Sequence, residues 1–153
     1  MTEFYIDGDA CPVRDEVIRV AERHGIKINI AGNSWLRLPP VRIDIHRELV
    51  PALPDAADDW IASRAAPFDI VVTSDIPLAA RCIEKQAFVI RPDGGEYTAE
   101  NIGSALSFRE LNRFLREIGE KEGSGRAFTG RDRSNFLSAL ENMVRKALKA
   151  SGG

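Results

Sequence analysis

Residues 69–75 read Asp-Ile-Val-Val-Thr-Ser-Asp, and this stretch decides the fold. Ile70, Val71, Val72 and Thr73 prefer extended backbone and follow one another without apolar–polar alternation. A strand of that kind is covered on both faces, as in a parallel sheet. It runs into polar Ser74 and Asp75, and Pro77 then begins a short helix over 77–85. The same unit recurs in both directions along the chain. Residues 3–6 (EFYI) predict a short buried strand ending in Asp7-Gly8-Asp9, and Cys11-Pro12 opens a helix to about Arg23. Val13, Val17, Ile18 and Ala21 share one face of that helix, and His24-Gly25 stops it. Residues 26–30 (IKINI) predict a second strand, and 31–40 a loop carrying Asn33, Ser34 and Trp35. The alternation in 41–46 (VRIDIH) predicts a third, half-exposed strand.

The remaining elements follow by the same criteria. A turn over 51–55 precedes a helix over 56–66 that carries Asp58-Asp59. Residues 87–90 (AFVI) predict a fifth strand, and 91–95 a Gly-rich turn. A short helix over 98–106, a charged helix over 109–122, a loop over 123–130 and a final helix over 131–150 complete the chain. Thr129 stands where it could cap the last helix, with Asp132 at capping-box spacing. Strands alternating with helices predict an α/β three-layer sandwich around a mostly parallel five-stranded sheet. Residues 1–150 read as one domain, of which 103–150 form a basic helical C-terminal extension. In such sheets ligands bind beyond the carboxyl ends of the strands, where strand order reverses. With five strands the natural reversal sets the first strand beside the fourth, gathering Asp7, Asp9 and Asp75 in one crevice.

A length of 153 residues suits one domain, and 44% apolar with 29% charged residues excludes a disordered chain. The first residues carry acids and no apolar run of signal-peptide length, and no window resembles a membrane span. The expectation is a cytoplasmic protein with no membrane partner. Cys11 and Cys82 lie far apart outside any CxxC pair and read as free thiols. The net charge of −2 conceals an asymmetry: residues 1–102 hold 11 Lys and Arg against 17 Asp and Glu, while residues 103–153 hold 10 against 6. An acidic body with a basic tail fits a metal site flanked by an anion-binding surface, or simply Arg-rich solvated helices.

Asp7 and Asp9, two residues apart at a strand end, can point the same way, and Gly8 lets backbone approach a ligand. Crowded carboxylates repel, and a hard divalent cation such as Mg²⁺ or Mn²⁺ removes the repulsion. Helix capping accounts for Asp9 equally well but leaves Asp7 without a reason. Asp75 is either a third ligand or a cap for the helix after it. Asp58 and Asp59 lie on a helix about 100° apart, so at most one aims at the crevice. Ser74, Thr129, Arg126, Arg131 and Arg133 are the phosphate-binding candidates, the last four around a helix start with free N–H groups. Cys11 lies in a first helical turn, a setting that lowers a thiol's pKa unless burial dominates. No Ser-His-Asp set, GxGxxG or zinc spacing is present.

DGDACPV at 7–13, DAADDWI at 55–61, DIVVTSDIPLA at 69–79, YTAENI at 97–102 and FTGRDRSNF at 128–136 together resemble the YaiI/YqxD family of bacterial proteins. Gly8 departs from the family's usual DADACPV opening but leaves both acids in place. The resemblance implies kinship with the PIN-like superfamily, whose members are mostly metal-dependent ribonucleases. By that resemblance Asp7 matches the acid after the first strand and Asp75 the acid after the fourth. Asp9, Asp58 and Asp59 match less directly. The resulting expectation is a Mg²⁺- or Mn²⁺-dependent nuclease acting on RNA or another nucleic acid, with Asp7 and Asp75 catalytic and one or more of Asp9, Asp58 and Asp59 completing the metal site. Two rivals stand beside it. Asp7-Gly8-Asp9 also resembles the aspartate-nucleophile motif of phosphatases, although Asp58-Asp59 precede rather than follow the Thr-Ser segment. A non-catalytic module binding nucleic acid or a protein partner is the other.

Overall fold

The computed structural model describes residues 1–9, 11–33, 38, 40–119 and 127–152. Its elements are β1 (Phe4–Asp7), α1 (Arg14–His24), β2 (Ile28–Gly32), β3 (Ile45–Leu49), α2 (Ala56–Arg64), β4 (Ile70–Val72), α3 (Ile76–Glu84), β5 (Phe88–Ile90), β6 (Glu96–Tyr97), α4 (Ile102–Glu117) and α5 (Gly130–Ala150). They build an α/β sandwich around a six-stranded sheet of order β3-β2-β1-β4-β5-β6. All pairings are parallel except β5 with β6. Strand order reverses between β1 and β4, which pair through Phe4–Ile70, Tyr5–Val71 and Ile6–Val72.

The two-residue period of the strands divides the core into two layers. Phe4, Ile6, Ile28, Ile30, Ile70, Val72 and Ile90 face α1 and α5. Tyr5, Ala31, Val71 and Val89 face α2 and α3, with Tyr97 at the margin. Helix α5 is part of the core: Phe136, Leu140, Val144 and Ala147 are fully buried, and Met143 nearly so. It runs beside α1 and is clasped to it at two points about eight residues apart on each helix. Arg133 meets Glu16 at 2.8 Å, and Glu141 takes Arg23 and, at 3.0 Å, His24.

Four element boundaries differ from the sequence expectation, each for a local reason. The third strand lies at Ile45–Leu49, not at 41–46, because its ladder is set by β2, whose Ile28 pairs with Ile45 and Gly32 with Leu49. The alternation in 41–46 still has meaning, since Val41, Ile43 and Ile45 all pack on the core. The helices expected over 98–106 and 109–122 are one helix, α4. No Gly or Pro interrupts 104–118, and the chain turns off at Gly119 with φ of 74°. A sixth strand, β6, arises because the 91–95 turn is a hairpin: Asp93 Oδ1 accepts from Gly95 N at 2.9 Å, and Val89 and Ile90 pair back onto Tyr97 and Glu96. Gly94 has φ of 95°, and a Cβ there would stand 2.8 Å from the Asn135 carbonyl. The hairpin thus seats against the first turns of α5 only with glycine at that point. Finally, α1 begins at Arg14, two residues after Pro12.

Candidate functional site

Beyond the carboxyl ends of β1 and β4 opens a cleft of about 900 Å³. Asp7, Asp58 and Asp75 line it, as do Arg91, Arg109, Arg113 and Arg116. Asp7 is placed by the last ladder position of β1, opposite Ala31, and by Gly8 N donating to the Ala31 carbonyl at 2.8 Å. Its Oδ1 accepts from Asp9 N at 2.9 Å, closing a tight Asx turn. Asp75 is placed by β4. Its backbone N–H donates to Thr73 Oγ1 at 3.0 Å, and its Oδ1 accepts from Leu78 N at 2.8 Å, capping α3. Capping therefore accounts for one oxygen of Asp75, while the residue still lines the cleft. Ser74 lines it as well.

Asp58 is the acid on which the others act. Burial raises its carboxyl pKa from 3.8 to about 6, and the charges of Asp75, Asp7, Asp55 and Asp59 add to the rise in that order. Three carboxyls from residues 7, 58 and 75 thus share one electrostatic environment. Asp59, one position on, turns to the other side of α2 and pairs with Arg81 at 2.7 Å, outside the cleft lining. Asp9 does not cap α1, whose N-cap Val13 has no side-chain bond. Its Oδ2 instead accepts from Asn33 N at 2.8 Å, just beyond β2. A Cβ at Gly32 would sit 3.0 Å from that oxygen, so the small residue at the end of β2 makes the room. Asp9 lines a smaller recess of about 150 Å³ whose wall also contains Asp7 and Asp58.

As placed, no three His, Cys, Asp or Glu side chains among the described residues converge tightly enough to hold an ion. In chemistry the donors do suit a hard divalent cation: they are carboxylates only, and the mutual repulsion felt at Asp58 is what such a cation relieves. Cys11 also lines the cleft, but burial pushes its thiol up to about 11, outweighing the backbone N–H of Val13 that lowers it. It stays protonated at neutral pH and is not a nucleophile there.

The phosphate-binding residues expected at the start of the last helix lie elsewhere or are engaged. Thr129 and Asp132 close a full capping box, Thr129 N to Asp132 Oδ2 at 2.9 Å and Asp132 N to Thr129 Oγ1 at 3.2 Å. That satisfies two helix-start groups internally and puts a carboxylate where an anion would bind. Arg133 is held by Glu16 and the Pro12 carbonyl and lies over the Phe128 ring at 4.9 Å. Arg131 is exposed but does not line the cleft. Arg126, Ser34 and Trp35 fall outside the described residues.

The cations the cleft does present were not singled out by sequence reasoning. Arg109, Arg113 and Arg116 recur at four- and three-residue spacing on one side of α4, all within the charged helix expected over 109–122. Arg91 follows β5 directly. Its guanidinium lies over Gly95, where a Cβ would come within 1.9 Å of it, and 5.3 Å from the centre of the Tyr97 ring. Arg91, Arg109 and Arg113 meet Asp93, Glu110 and Glu117 at 3.1, 3.7 and 3.6 Å. Exposed pairs of this sort are weak, so a phosphate can displace them.

Residues 5–146 match the family model described as "Uncharacterized BCR, YaiI/YqxD family". The chain belongs to the YaiI/YqxD family. A UPF0178 protein of Parvibaculum lavamentivorans is 54% identical over 144 residues, covering 94% of each chain. The UPF0178 protein amb2838 of Paramagnetospirillum magneticum is 52% identical over 147 residues, 96% of this chain and 97% of the relative. A third, from Rhodopseudomonas palustris strain HaA2, is 48% identical over 145 residues, 95% of this chain and 88% of its own. The family match spans every element that lines the cleft, from β1 to α4. No helix among the described residues is long and apolar enough to cross a membrane.

Proposed function

We propose that this YaiI/YqxD chain is a Mg²⁺- or Mn²⁺-dependent phosphodiesterase acting on RNA or another nucleic acid, of the kind its resemblance to PIN-like nucleases implies. The observation that supports the reading is that one cleft is lined both by three mutually interacting carboxyls and by four arginines. A phosphodiester needs both sets of groups. Its anionic oxygens call for guanidinium groups, which bind phosphate in two-pronged fashion. Carboxyls alone would repel it, so the acidic wall makes sense for a phosphate ligand only with a cation between them.

Asp7, Asp58 and Asp75 would hold that cation, with Asp9 in reserve beside the smaller recess. When bound, the cation supplies positive charge against the oxyanions that develop at phosphorus. The chain's own groups do the rest. Arg109, Arg113 and Arg116 hold the backbone of the substrate along α4, and Arg91 meets it from the β5–β6 hairpin. The capping bond from Leu78 keeps Asp75 oriented, and the Asx turn does the same for Asp7, so both carboxyls are positioned before substrate arrives.

Cleavage of an end-labelled single-stranded RNA by purified protein with Mn²⁺ tests this. Activity abolished by Asp75→Asn and by chelator is the expected result. Hydrolysis of a small aryl phosphate with no RNA cleavage would replace it with the aspartate-nucleophile reading. Inactivity on both, with RNA still bound, would leave a binding module.

A further inference from the structure

The β5–β6 hairpin carries two adjacent glycines, and each answers to a different neighbour. At Gly94 a Cβ would stand 2.8 Å from the Asn135 carbonyl oxygen and 3.1 Å from the Phe136 nitrogen, both backbone atoms of α5. Helix backbone does not yield, so Gly94 fixes the hairpin against α5. At Gly95 a Cβ would come within 1.9 Å of Arg91 Nη2 and 2.4 Å of its Cζ. Those atoms end a flexible side chain, so Gly95 decides only where the guanidinium lies. The turn holds the guanidinium there. Arg91 N donates to the Gly95 carbonyl at 2.7 Å, and Gly94 N to the Arg91 carbonyl at 2.9 Å. Asp93 Oδ1 accepts from Gly95 N at 2.9 Å and from Arg91 Nε at 3.1 Å, tying turn and guanidinium together. The ring of buried Tyr97 lies 5.3 Å from Cζ and favours the cation over its face. Segment 128–136, whose helix start is closed by its capping box, thus reaches the cleft through Asn135, Gly94 and Arg91.

We propose that Gly95 and Asp93 are positioning residues that hold Arg91 as the pre-set phosphate anchor of the cleft. This rests on the phosphodiesterase reading above and adds which of the four arginines is in place before a ligand arrives. With Nε taken by Asp93, the edge formed by Nη1 and Nη2 remains. That edge makes no hydrogen bond among the described residues and can take two oxygens of one phosphate. Arg109 and Arg113 meet acids of their own helix at 3.7 and 3.6 Å, looser contacts on exposed side chains. They give up rotamer freedom when a phosphate binds, whereas Arg91 has given it up on folding.

NMR of the ligand-free protein reads the placement, and fluorescence anisotropy of a labelled single-stranded RNA in chelator reads the anchor. The Arg91 Nε–H resonance should be resolved and slow to exchange in wild type. In Gly95→Ala it should join the signals of exposed arginines, while the unfolding midpoint stays at or above that of wild type. Arg91→Gln and Gly95→Ala should each weaken RNA binding about tenfold. Combined they should cost no more than Arg91→Gln alone, because Gly95 acts through Arg91. Arg91→Lys should keep the salt slope of wild type but not its affinity, since it keeps the charge without the fork. Should Gly95→Ala fail to fold, Asp93→Asn gives both readouts: it keeps an acceptor for Gly95 N and removes the charge that holds Nε. An Nε–H signal or an RNA affinity that these variants leave unchanged overturns the positioning role. Additive losses from Arg91→Gln and Gly95→Ala overturn it as well, since Gly95 would then act on the fold. A wild type that binds no RNA overturns the anchor through the reading it rests on, and the Nε–H signal tells that failure apart from a misplaced guanidinium.

Discussion

Replacing Asp58 with Asn removes the carboxyl whose ionisation the cleft opposes. Its folded pKa is about 6 against an ordinary 3.8, raised first by burial and then by Asp75 and Asp7. Folding therefore favours its neutral form. The stabilisation is fully present below about pH 4 and is lost as pH rises through about 6. Asn mimics the neutral form at every pH. Apo wild type and Asp58→Asn should then be nearly equal in stability at pH 4, and the variant should pull ahead above pH 6. A shift of about two units sets an upper bound near 3 kcal/mol. The side chain is only partly buried, so solvent and salt reduce this to about 1 kcal/mol, a gain of ~2–4 °C in Tm for a domain of this size.

Urea unfolding in chelator at stepped pH measures this directly. Asp69, whose carboxyl burial also raises to about 6, titrates alike in both proteins and cancels in the difference. Saturating Mn²⁺ should invert the order above pH 6, because ligand binding stabilises the protein that keeps the carboxylate. An Asn variant that is less stable than wild type at every pH, or a gap that does not change with pH, would refute the crowding of charge at this wall.

The other expectations separate the residues the structure distinguishes. Asp7→Asn should weaken Mn²⁺ binding in calorimetry while Asp59→Asn, whose residue pairs with Arg81, leaves it unchanged. Arg109→Gln with Arg113→Gln should lower RNA affinity for all sequences alike and make the salt dependence shallower by roughly 2 in log–log slope, read by fluorescence anisotropy; Arg131→Gln should change neither. Thr129→Ala should cost about 1 kcal/mol of unfolding free energy through loss of the α5 cap, with no effect on RNA binding.

Much of the sheet was legible because its signals are local. Ile70–Val72 and Phe4–Asp7 are strands too apolar to be anything but central, and alternation with helices leaves few topologies. The reversal between β1 and β4, and with it the approach of Asp7 to Asp75, followed from those rules. What sequence could not rank were acids whose fate depends on side-chain direction. Asp58 and Asp59 are neighbours of identical chemistry, and only the presence of Arg81 on α3 draws one of them away. Asp9 looks like a helix cap by spacing, but α1 starts later, at Arg14, and the loop after β2 offers the Asn33 N–H instead. The capping box of Thr129 and Asp132 was readable, because it needs only a three-residue spacing. The same Asp132 that completes the box excludes a phosphate from that helix end, so the two readings of this segment compete for one set of N–H groups.

The basic excess of residues 103–153 shows how composition and placement part company. By spacing along the chain, the excess points to the loop before the last helix and to Arg126, Arg131 and Arg133. In the structure Arg133 is committed to joining α5 to α1, where it neutralises Glu16, an acid only 7% exposed. Removing such a partner leaves a buried charge uncompensated, so Arg133 has a structural role that competes with ligand binding. Among the described residues, Arg109 and Arg113 of α4 pair with exposed acids on their own helix and so carry no such burden. Helix α4 brings Arg109, Arg113 and Arg116, together with Phe108, to the cleft that three crowded carboxyls also line. Under the proposed function these arginines answer the anion that the carboxyls alone would repel. If the α4 arginines were mere solubilising charge, their mutation would leave RNA affinity and its salt slope intact, and the acidic wall would then be left without a phosphate to share.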